Sequence, residues 1–162
     1  MTYPIKQIQA AYNPLEDRIL LTIEMQNQHI YLSWITRRFL SLLLPTLHGQ
    51  HPITGVSMFD DSNYKMKGPQ IKQAQKAAKK LNSSEHPLGQ SPLLLSKISF
   101  SALKTEQAMF VLAPNTGRGI EIPFNSVVLN LLLKMLKHPL QQSDWALEHD
   151  GIYGVPSQNL LQ

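Results

Sequence analysis

The chain contains no cysteine. That excludes disulfide staples, thiolate zinc sites and cysteine nucleophiles together, and it suits a reducing compartment. Long apolar runs are missing as well. The longest, Ala108 to Ala113, is far short of a membrane span. Met1 to Ala10 holds no apolar run of signal-peptide length. A cytoplasmic protein with no membrane partner is the expectation. Only 16% of the 162 residues are charged and 43% are hydrophobic, which is enough apolar material for a core and too little charge for a disordered chain.

Acidic residues are absent from one stretch in particular. Between Lys65 and Lys80 stand six lysines (Lys65, Lys67, Lys72, Lys76, Lys79 and Lys80) and no Asp or Glu. The formal net charge is +4, so removing these six leaves the rest of the chain at −2. The basicity is local. Gly68-Pro69 opens a short helix there with a thin apolar stripe of Ile71, Ala74, Ala78 and Leu81. A solvated linker helix is one reading. Electrostatic attachment to nucleic acid, or to an acidic protein or lipid surface, is the other. The stretch has no aromatic residue for stacking and no arginine for bidentate base reading, so nucleic-acid binding there would be non-specific.

Catalytic signatures are also missing. There is no phosphate loop and no G-x-G-x-x-G after a strand. Gly55-Val56-Ser57-Met58-Phe59 begins like a nucleophile elbow but lacks the closing glycine. His48 and His51, with Asp60 and Asp61, could offer imidazoles and carboxylates to a metal, but they lie in a loop beside glycine and proline, where solvated side chains are the simpler reading. No catalytic residue, metal ligand or cofactor is assigned.

What is present is a pattern of strands and leucine-rich helices. Ile19, Leu21, Ile23 and Met25 alternate along Asp17 to Met25, and Ile30, Leu32 and Trp34 alternate after the Gln26-Asn27-Gln28 turn. If both apolar sides face the core, Leu21 falls opposite Leu32 or Trp34. Thr36 is placed to cap a helix carrying Phe39, Leu40, Leu42, Leu43, Leu44 and Leu47, which Pro45 should kink or stop. Leu94 to Ala102 ends in an alternation with Ile98, Phe100 and Ala102 inward. Met109–Ala113 and Ile120–Phe124 read as two further strands, with Pro123 at an edge, before Asn125 or Ser126 caps a second helix through Leu129, Leu132, Leu133 and Leu136. Thr36 overlays on Asn125 at an offset of 89 residues, and the strands before them match with one residue of slip, pairing Trp34 with Phe124 as comparable core positions. Each half then reads as a hairpin followed by a leucine-rich helix.

Arg37-Arg38 occupy a helix's first turn, where the macrodipole disfavours cations. The hairpin returns Glu16-Asp17 to their neighbourhood. Two readings stand: an ion-pair cluster closing the hairpin, or an anion site using both guanidinium groups and the free helix N–H groups. The second helix has only Asn130, Lys134 and Lys137 as a polar stripe. Its surplus apolar surface calls either for packing against the other helix or for a subunit interface.

Three stretches, Tyr12-Asn13-Pro14-Leu15-Glu16-Asp17-Arg18, Trp34-Ile35-Thr36-Arg37-Arg38 and Gly117-Arg118-Gly119-Ile120-Glu121-Ile122-Pro123, resemble a group of uncharacterised bacterial proteins. The resemblance covers both halves, but neither the lysine stretch nor the tail after Leu147. It implies no activity and no functional residue.

The expected architecture is therefore α+β: an antiparallel sheet of about five strands with two leucine-rich helices. Residues 1–147 form a single domain, with halves at about 1–50 and 90–147 joined by a basic linker at 51–89, and 148–162 form a C-terminal tail. The expected function is a non-catalytic interaction or assembly protein, pairing with itself as a homodimer or with another protein. A nucleic-acid-associated protein using Lys65–Lys80 is the alternative, and an enzyme with a dispersed site the third reading.

Overall fold

The structure, a computed structural model, describes residues 4–59 and 85–145. The lysine stretch with the helix expected there, Asp60 and Asp61, and the 148–162 tail lie outside the described residues.

The chain is α+β, but its strands form two sheets rather than a single sheet of about five. β1 (Ile5–Asn13), β2 (Arg18–Met25), β3 (Ile30–Ile35) and β4 (Leu93–Leu94) form a sheet in that order. β5 (Lys97–Ser101), β6 (Met109–Ala113) and β7 (Ile120–Pro123) form the second. Among the described strands only β4 runs parallel to its neighbour, β3. The helices are α1 (Arg37–Leu47) and α2 (Ser126–Ser143). Pro123 lies on an edge strand, β7, where its missing N–H costs no ladder bond. Ala102 lies beyond β5, exposed and with φ 52°, so it is a turn residue and not an inward one.

The β2–β3 register departs from the alternation argument by one residue. Leu21 faces Ser33, and Trp34 faces Leu20 on the opposite side of the sheet. The turn decides this. Met25 N donates to His29 O at 2.9 Å, leaving a three-residue loop whose last member, Gln28, has φ 73°. A three-residue loop with a left-handed third residue is a standard hairpin closure, and it sets the register before any side chain is counted. The consequence is that Ser33 and Ile35 are fully buried, while Ile30, Leu32 and Trp34 face outward and are only half-buried. Burying Ser33 is tolerated because its hydroxyl donates to Leu21 O, at the long distance of 3.5 Å.

With this register the two hairpins correspond without slip. Adding 89 to Leu21 and Ser33 gives Phe110 and Ile122, which are partners in the β6–β7 ladder. The same offset carries Ile35 to Phe124, so Ile35, and not Trp34, matches the buried Phe124. It also carries the α1 cap to the α2 cap. Thr36 Oγ1 accepts from Phe39 N at 3.1 Å, and Asn125 Oδ1 accepts from Val128 N at 2.9 Å. Phe39, Leu40, Leu43 and Leu47 of α1 are buried, as are their counterparts Val128, Leu129, Leu132 and Leu136. β4 has no counterpart in the second sheet.

α2 crosses to the first sheet and packs along β1, while α1 touches both β3 of its own sheet and β5 of the other, and the helices also touch each other. This accounts for the apolar circumference of α2. Its Leu131, Leu133 and Met135 pack against the common core, and only Val127 among its large apolar residues is exposed. Pro45 does not stop α1, which runs two residues further and is closed by His48 N donating to Leu44 O and Pro45 O. Pro139 likewise lies inside α2, which extends to Ser143. Among the described residues no helix is long and apolar enough to cross a membrane.

A candidate interaction surface on the four-stranded sheet

Two of the three motif stretches meet at one end of the first sheet. The β1–β2 turn is held from within: Asn13 Oδ1 accepts from Leu15 N at 2.9 Å and Glu16 N at 3.1 Å, and Asp17 N donates to Asn13 O at 2.7 Å. Asp17 has φ 57°, a conformation that Asp and Asn adopt at less cost than most residues. Its carboxylate accepts from Tyr12 Oη at 2.6 Å and from Trp145 Nε1 at 3.0 Å. Trp145 follows α2 and sets its ring edge-on to Tyr12, with centroids 6.2 Å apart. The hairpin tip is thus fastened to the end of the last helix.

Those two hydrogen bonds, with a smaller contribution from the Arg37 charge, hold the Asp17 carboxyl below its ordinary pKa of 3.8, against an opposing effect of burial. The same bond raises the Tyr12 hydroxyl above 10.0, because donating to a carboxylate favours the neutral phenol. A carboxyl whose pKa is depressed in the folded state adds stability above its unfolded pKa and loses it as pH falls through the folded value. Asp17→Asn keeps an acceptor but not the charge. Its melting temperature is expected to lie below wild type at pH 7, and the gap should close as pH falls below about 4. A gap that stayed constant down to pH 2.5 in thermal melts would show that the charge contributes nothing.

Glu16 and Arg18 serve the other side of the turn. Arg18 Nε donates to Glu16 Oε1 at 2.9 Å, and its guanidinium carbon lies 3.9 Å from the centre of the Trp34 ring. Arg37 is thus close enough to Asp17 for its charge to register, whereas Arg38 is exposed and has no ion pair among the described residues. Sequence reasoning had brought Glu16-Asp17 near the arginine pair. It had not found Tyr12 and Trp145, which are the nearer partners of Asp17. The Trp145 bond spans 128 residues, and nothing local in the sequence signals it.

The loop after α1 has internal partners too. His51 Nδ1 accepts from Ile53 N at 3.2 Å and Thr54 N at 3.3 Å, and its ring lies 5.6 Å from Phe100. Ser57 Oγ accepts from Phe59 N at 3.3 Å. No group of three or more His, Asp or Glu is gathered to hold a metal among the described residues.

The outer face of the four-stranded sheet is different, because its exposed groups have no partner layer among the described elements. Ala11 pairs with Leu20, Leu20 with Trp34, and Trp34 with Leu94, so one apolar row crosses all four strands at a single level. Leu94 is 52% exposed, and Leu15 at the hairpin tip is 94% exposed. Between the row and the tip lies a shallow groove of about 390 Å³, lined by Ala11, Asn13, Pro14, Leu15, Leu20 and Trp34 among others. Charges flank the row along the strands as closed pairs: Lys6–Glu24 at 3.3 Å on one side and Arg18–Glu16 at 2.9 Å on the other. The chemistry available here is apolar burial with a neutral rim.

Comparison of the chain with protein-family models, with curated proteins and with solved structures gives no match.

Proposed function

We propose that this is a non-catalytic interaction protein that associates with a second copy of itself. The observation that carries the reading is the apolar row from Ala11 to Leu94 on an open sheet face. Apolar side chains lined up across four strands normally belong to a core or an interface. Surplus helix surface does not support it, since the helices touch each other and both sheets. The support moves to the sheet. Light scattering over a concentration series is the test: apparent mass should climb from one chain toward two, and a constant single-chain mass at high micromolar concentration would remove the reading.

The constant offset of 89 residues supports a further reading of the architecture as a duplicated strand–strand–helix unit, with β4 added to the first copy only. An α2 that packs on the sheet of the other half fits a unit that once paired with its twin.

The second functional reading uses the six lysines of Lys65–Lys80, together with Arg37 and Arg38 at the start of α1, as an electrostatic nucleic-acid contact. Lysines alone would give weak, salt-sensitive binding, with a log–log slope of roughly 0.9 per phosphate neutralised on duplex DNA. We expect the segment to act as a linker. Reversing Lys72, Lys76 and Lys79 to Glu should then leave retention on duplex DNA at low salt unchanged from wild type. Strong wild-type retention that the triple reversal abolishes would establish the nucleic-acid reading instead.

A further inference from the structure

We infer that the groove at the tip of the first sheet is filled by this chain's own C-terminal tail, with Ile152, Tyr153 and Val155 seated beside Leu20 and Trp34. What leads there is the place where the described chain ends. Trp145 is buried, its Nε1 donates to Asp17 of the β1–β2 turn at 3.0 Å, and its ring meets Tyr12 edge-on. Tyr12 is itself part of the groove wall, together with Leu15, Leu20 and Trp34. The tail therefore leaves the fold beside the groove, from a residue held by two contacts to the hairpin tip. Ile152 stands seven positions after Trp145. Seven residues of extended chain span roughly 23 Å. Sheet layers pack about 10 Å apart, so the tail is long enough to round the end of the sheet and come down on its outer face.

Residues 60–84 are placed less well. The chain returns from them at Glu85, whose N–H donates to Gln28 O and whose carboxylate meets His29 at 2.8 Å. That is the β2–β3 turn, at the far end of the sheet from the groove. Those residues also carry the six lysines, and the groove is apolar.

Charge points to the tail as well. α1 begins with Arg37 and Arg38 and has no acid in its first turn, where the macrodipole disfavours cations. Arg37 is near enough to Asp17, the residue that holds Trp145, for its charge to register there. Arg38 has no ion pair among the described residues. The tail supplies the missing acids. Glu148 and Asp150 follow Trp145 by three and five positions, and residues 146–162 contain no Lys or Arg. A tail that crosses the end of the sheet brings these carboxylates to the arginine pair before its apolar residues reach the groove.

Size is consistent with an occupant from the same chain. A groove of about 390 Å³ takes a few side chains, a contact that would be weak between separate molecules. The tether makes it intramolecular, with an effective concentration on the order of millimolar for a short linker. The docked tail then competes with a second copy for Leu20 and Trp34, and so restrains the association proposed above. That consequence rests on the self-association reading, whereas the docking does not.

The test uses the full chain with Ile152→Ser, Tyr153→Ser and Val155→Ser combined, beside wild type. NMR spectra are recorded at concentrations where both proteins sediment as single chains. The Trp34 indole N–H and the Leu15 and Leu20 amides are expected to shift between the two, while the amides of β5, β6 and β7 stay in place. A second full-length variant, Glu148→Lys with Asp150→Lys, should move the same resonances part of the way. Self-association of the triple variant should set in at about a fivefold lower concentration than that of wild type, because its face is no longer occupied by a tethered competitor. Identical Leu15, Leu20 and Trp34 resonances in wild type and the triple variant would overturn the docking, whatever the oligomeric state. Shifted resonances with unchanged association would overturn the restraint. Shifted resonances in chains that stay single at every concentration would support the docking and remove the self-association reading.

Discussion

Leu132→Ala is expected to destabilise the protein by about 2–5 kcal/mol, the range for emptying a leucine site in a packed core. Leu132 is 0% exposed in the middle of α2, the helix that crosses onto the first sheet while belonging to the second. A cavity there has few ways to close, because β1, α1 and α2's own sheet all border the same core. The partly buried Leu133, one position on, should cost clearly less. Urea denaturation followed by tryptophan fluorescence measures both, and a Leu132→Ala midpoint within error of wild type would show that α2 does not lie at the centre of the fold.

Gly119→Ala should cost about 1–3 kcal/mol or more, the range for forcing atoms into a packed site. A β-carbon on Gly119 would stand 2.5 Å from Leu112 O and 2.8 Å from Ala113 Cα. These are backbone atoms of β6, so no side chain can swing away to make room. The β6–β7 ladder itself would have to open. Gly117, two residues earlier, has open space around its absent β-carbon but φ 100°, so Gly117→Ala should cost about 1–2 kcal/mol through backbone conformation alone. Thermal melts in which Gly119→Ala was as stable as wild type would contradict this packing of the hairpin.

Much of the fold was legible where the signal was local. The Thr36 and Asn125 caps, strands β2, β6 and β7, and the edge position of Pro123 follow from residue type and short-range alternation. β1 was not found, and the reason is visible in its register. A shift between Ile5 and Gln7 breaks the alternation, so the inward residues run Ile5, Ile8, Ala10, Tyr12. β4 has two residues and depends entirely on β3 for its pairing. Trp34 was read as core because its alternation with Leu32 and Ile30 is regular. The three-residue turn at Gln26–Gln28 turned that face outward, and turn geometry outranked apolar periodicity.

That reversal is also why the candidate surface was misplaced. Leu20, between two inward residues of β2, and Trp34, on the apolar side of β3, carry no sign in sequence that they share an open face. Pairing of Leu20 with Trp34 is a property of the register, and of Trp34 with Leu94 a property of a parallel crossover sixty residues later. Of the Glu16-Asp17 and Arg37-Arg38 constellation, the approach of Arg37 to Asp17 was legible because hairpin closure brings the start of β2 near the start of α1. Its chemistry is structural: Asp17 ties Tyr12 to Trp145, and Arg18 ties Glu16 to Trp34.

The most direct test of the account is sedimentation velocity of Leu20→Glu beside wild type at matched concentrations. Leu20 is half-buried in the centre of the outer row and makes no part of the inner core, so the variant should fold and melt close to wild type. A carboxylate placed in the middle of the apolar row would have to be buried unpaired in any contact made there, which a weak interface cannot offset. Wild type should show a sedimentation coefficient that rises with concentration, while Leu20→Glu stays at the value of a single chain throughout. A folded Leu20→Glu protein whose coefficient rises with concentration as wild type does would contradict the central claim.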